Sequence, residues 1–133
     1  MSMSDPLADM LTRIRNAGKA KHKSVDIPGS QLKLSLANLM KEEGFIKNFK
    51  FIKDNKQGIL RVYLKYESSN DRHVIYGIKR ISKPSRRVYV GSKEVKPVLN
   101  GLGISVISTS KGLITDKQAV KQNIGGEVLC EIW

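Results

Sequence analysis

Ser108 and Lys111 stand three positions apart in the stretch "STSKG", a spacing that could support covalent chemistry. Some serine acyltransferases carry this S-x-x-K pattern, in which a lysine assists a nucleophilic serine. Such a site needs the serine at the start of a buried helix and further motifs of the S-D-N and K-T-G type. The sequence contains neither motif, and Ser108 lies between two strand-like apolar runs. A small hydrolase that uses Ser108 stays an alternative, but the spacing alone does not indicate one.

The remaining residues that could support catalysis or bind a metal do not form a recognisable pattern. His22 and His73 are far apart in the chain, and with Cys130 they give no metal-ligand spacing. The pair Glu42 and Glu43 is typical of the solvated end of a helix, and no phosphate-binding or dinucleotide glycine motif occurs. We therefore predict a protein that is not an enzyme and that carries no metal and no cofactor.

The same loop is better suited to binding. The hydroxyls of Ser108, Thr109 and Ser110 can each donate and accept hydrogen bonds, and Gly112 lets the backbone come close to a ligand. Lys111 adds a mobile positive charge. These are the requirements for contacts with sugar hydroxyls, phosphates and base edges in an RNA groove. The alternative, a polar hairpin turn without any ligand, stays open at this point.

A second basic stretch, "KRISKPSRRVYVG", combines guanidinium groups with an aromatic ring. Arg86, Arg87 and Tyr89 could form a base-stacking platform, and the alternative is that Tyr89 packs half-buried in a strand. Gly126 opens the last strand and would allow a tight backbone approach. Glu127 is unexpected near a polyanion unless its carboxylate accepts a hydrogen bond from a base amino group or from a neighbouring serine.

The charge of the chain limits the class of partner. Among 133 residues, 24 are Lys or Arg and 12 are Asp or Glu, which gives a net charge of +12. The parts before and after Asn70 each carry +6, so the positive charge is not confined to a tail. This excess favours a polyanion, RNA or DNA, and no basic helix has the broad apolar face of a membrane-surface helix. We expect no transmembrane span and no secretory signal, and the single Cys130 fits a reducing cytosol.

The first half of the chain predicts two helices and three strands. The stretch "DPLADMLTRIRNAG" has a helical apolar stripe and a glycine, Gly18, where we expect the helix to stop. The outer face of this helix carries Thr12, Arg15 and Asn16. A second helix should begin after Ser30 and end at Gly44, before a hairpin with the turn "DNKQG". We predict the order α-β-α-β-β, with a three-stranded sheet and both helices on one of its faces.

The second half predicts mainly strands. They are expected in "HVIYGIKRIS", "RRVYVG", "GISVIST", "GLIT" and "GEVLCEIW", with a short helix in "SKEVKPVLNG" and helical turns after Thr115. The polar stretch of residues 67–72 is the best candidate for a linker. The prediction is therefore an α+β fold of two small domains: an N-terminal α/β domain over residues 1–68 and a C-terminal, mainly β domain with a short helix over residues 73–133.

Three stretches together carry a resemblance to a known family. "GISVISTSKGLITDKQA", "GGEVLCEIW" and the opening "DPLADMLTRIRNA" resemble the bacterial form of ribosomal protein S-eight of the small subunit, over practically the whole chain. The resemblance implies a two-domain, cytoplasmic, monomeric protein that binds the central domain of small-subunit rRNA early in assembly of the platform. Further expected partners are neighbouring small-subunit ribosomal proteins and, as in some bacteria, the messenger RNA of its own operon, which it would repress.

The resemblance also implies roles for single residues. The C-terminal loop, with Tyr89 and Glu127 near it, would contact an irregular rRNA helix, and the opening helix would contact a second one; the loop residues are Ser108, Thr109, Ser110 and Gly112. At Val120 the family usually has a basic residue, so a phosphate contact there is in doubt unless Lys117 or Lys121 replaces it. A free-standing nucleic-acid-binding regulator is the alternative from a different class.

Overall fold

The computed structural model describes residues 5–133, apart from the side chain of Asn100. It divides into two compact units. One consists of Leu7–Tyr76, and the other joins residues 5–6 to Gly77–Trp133. With three α-helices and two antiparallel sheets, the described chain has the predicted α+β class.

The Leu7–Tyr76 unit has the predicted order α-β-α-β-β. Its elements are α1 (Pro6–Lys19), β1 (Ser24–Pro28), α2 (Gln31–Glu42), β2 (Ile46–Ile52) and β3 (Ile59–Leu64). The strands form an antiparallel sheet in the order β1-β3-β2, so the hairpin strand β3 is central. The helices bury their apolar stripes, which on α1 comprise Leu7, Met10, Leu11 and Ile14.

Helix α2 begins and ends where the sequence predicts. The side chain of Ser30 accepts a hydrogen bond from the backbone N–H of Lys33 at 3.2 Å, which satisfies one of the first free donors of the helix. The chain leaves the helix through Gly44, whose φ of +81° is a left-handed conformation that glycine adopts without strain. Both predicted ends are confirmed.

Gly18 does not end α1, so that prediction was wrong. The helix continues through Gly18 to Lys19, and the left-handed residue that follows is Lys21, with φ of 59°. The imidazole ring of His73 lies against Gly18, and a Cβ at this position would come within 2.0 Å of the ring nitrogen Nδ1. A glycine is needed here because a side chain packs onto the helix, which the sequence pattern does not reveal.

Residues 67–72, the predicted linker, form a turn within the Leu7–Tyr76 unit. The backbone N–H of Glu67 donates to the carbonyl of Arg72 at 2.8 Å. Tyr66 and His73, the residues on either side, pair as an antiparallel bridge. The boundary between the two compact units falls later, after Tyr76. The predicted domain bounds, as limits of independently folding domains, stay a prediction.

The second unit contains a five-stranded sheet and one α-helix. Its elements are β4 (Ile78–Arg80), β5 (Tyr89–Val90), β6 (Ile104–Thr109), β7 (Gly112–Thr115), α3 (Asp116–Gln122) and β8 (Gly126–Ile132). The strand order is β4-β8-β6-β7, and β5 pairs with the first residues of β8. Thr115 and Gln118 form the predicted capping box at the start of α3. A buried cluster of Ile107, Ile114, Ala119 and Val128 joins this helix to the sheet.

The segment "SKEVKPVLNG" does not form the single short helix that we predicted. It forms two 3-10 turns, Ser92–Glu94 and Leu99–Gly101, with an extended backbone at Val95 between them. Pro97 explains the interruption, because it lacks a backbone N–H and disfavours helical geometry in the residue before it. The strands in "HVIYGIKRIS" and "RRVYVG" are also shorter than predicted and comprise only Ile78–Arg80 and Tyr89–Val90.

Candidate RNA interface

The loop "STSKG" is the tip of the β6–β7 hairpin. Thr109 pairs with Gly112 across the turn, which leaves Ser110 and Lys111 exposed at its end. The hydroxyl of Thr109 donates to the carbonyl of Gly112 at 2.9 Å and accepts from the backbone N–H of Lys111 at 3.1 Å. The threonine thus holds the turn from inside, and Ser110 and Lys111 point their functional groups into solvent.

The hairpin is held by a strand from the core. Residues 104–107 of β6 are all buried, and the strand lies between β8 and β7. At the tip, Gly112 has a φ of +104°, and a Cβ built on it would meet nothing within 4 Å. The glycine is therefore required for the turn geometry, and it leaves the backbone open for the close approach of a ligand.

The start of β8 lies unusually close to its neighbours. A Cβ on Gly126 would come within 2.2 Å of the carbonyl oxygen of Ser108, so only glycine allows this approach. The register places Ser108 opposite Glu127 on one side of β8 and Tyr89 opposite Glu127 on the other. Three predicted site residues, distant in sequence, thereby lie on adjacent strands.

Glu127 has partners within the protein. The hydroxyl of Ser82 donates a hydrogen bond to its carboxylate, and Nη1 of Arg87 lies 3.1 Å from the same oxygen. The Glu127 side chain is 19% exposed, whereas that of Arg87 is 48% exposed. The expected hydrogen bond from a neighbouring serine to this carboxylate is therefore present, and Ser82 is its donor. The positive charge of Arg87 offsets the repulsion that Glu127 would exert on a phosphate.

Ser82 also belongs to this site, although no sequence motif marks it. It is fully buried, and its hydroxyl accepts the backbone N–H of Val88 at 3.2 Å while it donates to Glu127. The partner carboxylate lies 45 positions away, so no local pattern connects the two residues. The only available signal was a small hydroxyl residue at the end of an apolar, strand-like run.

Arg86 and Tyr89 are open to solvent. The backbone of Arg86 both donates to and accepts from Lys83 at 2.9 Å, which closes a tight turn and leaves the arginine side chain exposed. Tyr89 is 67% exposed. The alternative that Tyr89 packs half-buried in the strand was therefore wrong, and its ring face is accessible to a ligand.

The predicted residues of the opening helix form a separate candidate surface. Thr12, Arg15 and Asn16 lie three and four positions apart on α1, so they share one face of the helix. Thr12 and Asn16 are exposed, and Arg15 is half-buried. They belong to the Leu7–Tyr76 unit, whereas the hairpin belongs to the other.

Four further features concern Ser108, the Cys130 thiol, metal ligands and membrane spans. Ser108 lies in a strand rather than at the start of a helix, and burial raises the pKa of the Cys130 thiol to about 12. Within residues 5–133, no three His, Cys, Asp or Glu side chains are grouped so that they could hold a metal ion. None of the helices in this part of the chain combines the length and the apolar character that a membrane span requires.

Comparison with known proteins identifies the family. A family model described as "Ribosomal protein S8" matches residues 5–133. The chain belongs to the ribosomal protein S8 family. Proteins named small ribosomal subunit protein uS8 are 66% identical in Geotalea daltonii, 62% in Geobacter sulfurreducens and 59% in Clostridioides difficile, each over the full length of both chains. The resemblance drawn from the sequence is confirmed, and S8 proteins are structural components of the ribosome rather than a class of enzymes.

The resemblance leads us to expect a basic residue at position 120, where this chain has Val120. Its side chain is 56% exposed on α3, and it cannot pair with a phosphate. Lys117 and Lys121 are exposed on the same helix. They are the groups available to replace a basic residue at this position.

Proposed function

We propose that this chain is a primary rRNA-binding protein of the small ribosomal subunit, which binds the central domain of the rRNA and helps to assemble the platform. Membership of the S8 family supports the ribosomal location. The observation that carries the proposal is the β6–β7 hairpin, which presents exposed hydroxyl, ammonium and backbone groups from a buried strand. The proposed contact residues of this loop are Ser108, Thr109, Ser110, Lys111 and Gly112.

The groups around the hairpin suit an irregular RNA helix. Hydroxyls of the loop can bond to ribose 2′-hydroxyls and base edges, and the exposed ring of Tyr89 can stack on an unpaired base. Ser82 and Arg87 hold the carboxylate of Glu127 in a defined position. From there it can accept a hydrogen bond from the amino group of a base. Arg86 and Lys111 supply charge for phosphates. Discrimination between RNA sequences then comes from the hydroxyls and Glu127, and affinity comes from the cations.

The remaining partners follow from the same proposal. Thr12, Arg15 and Asn16 on α1 contact a second rRNA helix, and neighbouring small-subunit proteins contact other surfaces. The free protein is a cytoplasmic monomer without a cofactor. It also binds the messenger RNA of its own operon as a repressor, because a messenger that folds like the rRNA site would offer the same groups to the hairpin.

Chemical footprinting on isolated small-subunit rRNA tests the proposal. The full chain should protect a limited set of nucleotides in the central domain, and Ser110→Ala should weaken that protection. Protection confined to another domain of the rRNA would contradict the proposal. Co-sedimentation with small subunits at high salt separates it from a free-standing regulator, which would stay in the soluble fraction.

A further inference from the structure

The sheet of the Leu7–Tyr76 unit has one buried face and one open face. Along β3, the residues that point towards the core are at most 4% exposed: Leu60, Val62 and Leu64. The alternate residues Ile59, Arg61 and Tyr63 point to the opposite side and are half-buried. Because directly opposed residues of antiparallel strands share a face, Asp26 on β1 and Lys50 on β2 join Arg61 on this open face.

A groove of about 520 Å³ lies at one end of the sheet. We call it the lysine groove; its lining residues are Lys23, Lys47, Tyr63, Leu64, Lys65 and Tyr66. Its volume falls within the range of roughly 300–1,000 Å³ that is usual for ligand sites. Three of the six lining residues are lysines, and none is acidic.

The strand register explains why these lysines come together. The pairing of β2 with β3 shifts between Ile46 and Asn48, so Lys47 is the extra residue of an irregularity in the ladder. Lys23 directly precedes β1, and its carbonyl accepts the backbone N–H of Leu64 at 2.9 Å. Lys65 follows Leu64 in the chain. The lysines therefore come from the adjacent ends of all three strands.

Within residues 5–133, no ion pair offsets the positive charge of the groove. Among the described residues, none of the three lysines forms an ion pair with a carboxylate. Asp26, the acid on the open face, is already held by two hydrogen bonds from Arg61 at 2.8 and 3.1 Å. Three exposed ammonium groups around one cavity attract an anion with several charges.

The two tyrosines indicate which anion fits. The hydroxyl of Tyr66 donates to the carbonyl of His22 at 2.6 Å, which fixes the position of its ring. Tyr63 is half-buried on the open face. Aromatic rings beside lysines are suited to a nucleic acid single strand, because bases stack on the rings while the ammonium groups follow the phosphates. An acidic peptide would use the lysines and leave the ring of Tyr63 without a role.

We propose that the lysine groove binds a single-stranded RNA segment, with a base against Tyr63 and phosphates at Lys23, Lys47 and Lys65. This site is distinct from the β6–β7 hairpin, which belongs to the other unit. The inference rests on the proposed function only in taking RNA as the ligand. It gives the Leu7–Tyr76 unit a sequence-tolerant RNA contact, since stacking and charge do not distinguish bases strongly.

The test uses the full chain and an eight-nucleotide oligouridylate as the probe. In ¹H–¹⁵N spectra, the oligonucleotide should shift the amide signals of residues 63–66. Tyr63→Leu should weaken its binding about tenfold, because the stacking surface is lost, and Tyr63→Phe should bind like the parent. Lys47→Gln with Lys65→Gln should reduce the slope of log K against log salt by about 1.4, at about 0.7 per phosphate contact to a single strand. Lys56→Gln, in the turn at the opposite end of the sheet, is the matched control and should leave the slope unchanged.

The outcomes separate this proposal from the proposed function. If the groove variants bind the oligonucleotide like the parent while Ser110→Ala abolishes its binding, the lysine groove is not an RNA site, and the hairpin proposal stands. If the protein does not protect the central domain of the rRNA but the oligonucleotide still shifts the amide signals of residues 63–66, the proposed function is wrong and the lysine groove remains an RNA site. Octaglutamate tests the alternative of an acidic peptide. If octaglutamate shifts the amide signals of residues 63–66 and the oligonucleotide does not, the proposal is overturned in favour of an acidic protein partner.

Discussion

Ser110 and Lys111 occupy adjacent exposed positions at the tip of the hairpin, but they offer an RNA ligand different interactions. A serine hydroxyl contributes one directional hydrogen bond, whereas a lysine contributes a mobile charge that does not require a fixed geometry. The two side chains therefore separate specific from non-specific binding. No other pair in the loop allows this comparison so directly, because Thr109 also holds the turn.

Ser110→Ala should weaken binding to cognate rRNA by about 1–3 kcal/mol, because a buried RNA group loses its hydrogen-bond partner. Binding to a scrambled RNA should not change. Lys111→Ala should weaken both complexes to a similar degree and make the salt dependence shallower by about 0.7–0.9 in slope. The measurement is binding of each variant to both RNAs over a salt series. If Ser110→Ala binds cognate rRNA like the parent, the loop is only a turn.

We expect His73 to make the stability of the protein depend on pH. Its ring packs against Gly18, with Nε2 buried and without a hydrogen-bond partner among the described residues. Burial lowers the pKa of His73 below its ordinary 6.5, because the charged form is poorly solvated. The unfolded chain then binds more protons than the folded one, so the stabilising contribution is complete above about pH 6.5 and is lost as the pH falls through the lowered pKa.

We expect the free energy of unfolding, measured with urea, to decrease between about pH 7 and pH 5. The variant His73→Phe keeps a ring beside Gly18 and cannot be protonated, so its stability should fall less over the same interval. An NMR titration of His73 gives its folded pKa directly. A value at or above 6.5 would contradict the assignment of this pH dependence to burial.

At the scale of the element, the β6–β7 hairpin depends on the backbone of Gly112. Gly91 offers a matched comparison, since neither glycine has an atom within 4 Å of a built Cβ. Their backbones differ, with φ of +104° at Gly112 and −80° at Gly91. Any difference between alanine substitutions at the two positions therefore reports the backbone conformation and not a steric clash.

Gly112→Ala should destabilise the protein by about 1–2 kcal/mol, because an L-residue is strained at this φ. Gly91→Ala should change the free energy of unfolding by less than about 0.5 kcal/mol. Urea unfolding of both variants measures the difference. If both substitutions change the free energy of unfolding equally, the turn can relax to a conformation that alanine accepts. The site would then not require the left-handed backbone at Gly112.

At the scale of the whole molecule, the two compact units have separate candidate surfaces. A fragment of residues 77–133 should fold and retain much of the specific affinity for cognate rRNA, because the hairpin, Tyr89 and Glu127 all lie within it. The chain ends support this choice, since Gly77 and Trp133 exchange two backbone hydrogen bonds of 3.0 Å. Gel-shift titration of the two separate fragments is the measurement. If only the N-terminal fragment binds cognate rRNA specifically, the primary site lies in the Leu7–Tyr76 unit, and our assignment is wrong.

The net charge of +12 leads to a prediction for the intact protein. The logarithm of the binding constant for rRNA should fall linearly with the logarithm of salt concentration, by about 0.7–0.9 for each phosphate contacted. Because cations are present in both units, the slope of the full chain should exceed that of the fragment. A flat dependence would show that the positive charge does not serve RNA binding.

The sequence by itself determined the element order of the first unit, both ends of α2 and the start of α3, because these depend on local signals. Apolar periodicity selects a helix or a strand, and Ser30, Gly44 and Thr115 act within a few residues of their own positions. The loop "STSKG" and the family resemblance were also visible, since the loop and each matching stretch are contiguous in the chain.

Only the tertiary structure decided what depends on distant residues. The role of Gly18 requires a ring 55 positions away, and the position of Glu127 requires Ser82, 45 positions away. The lysine groove likewise forms because three strand ends meet in one register. Such contacts depend on which strands and helices pair, and this pairing is selected because it buries apolar area over the whole chain. A local sequence pattern does not specify which distant elements meet.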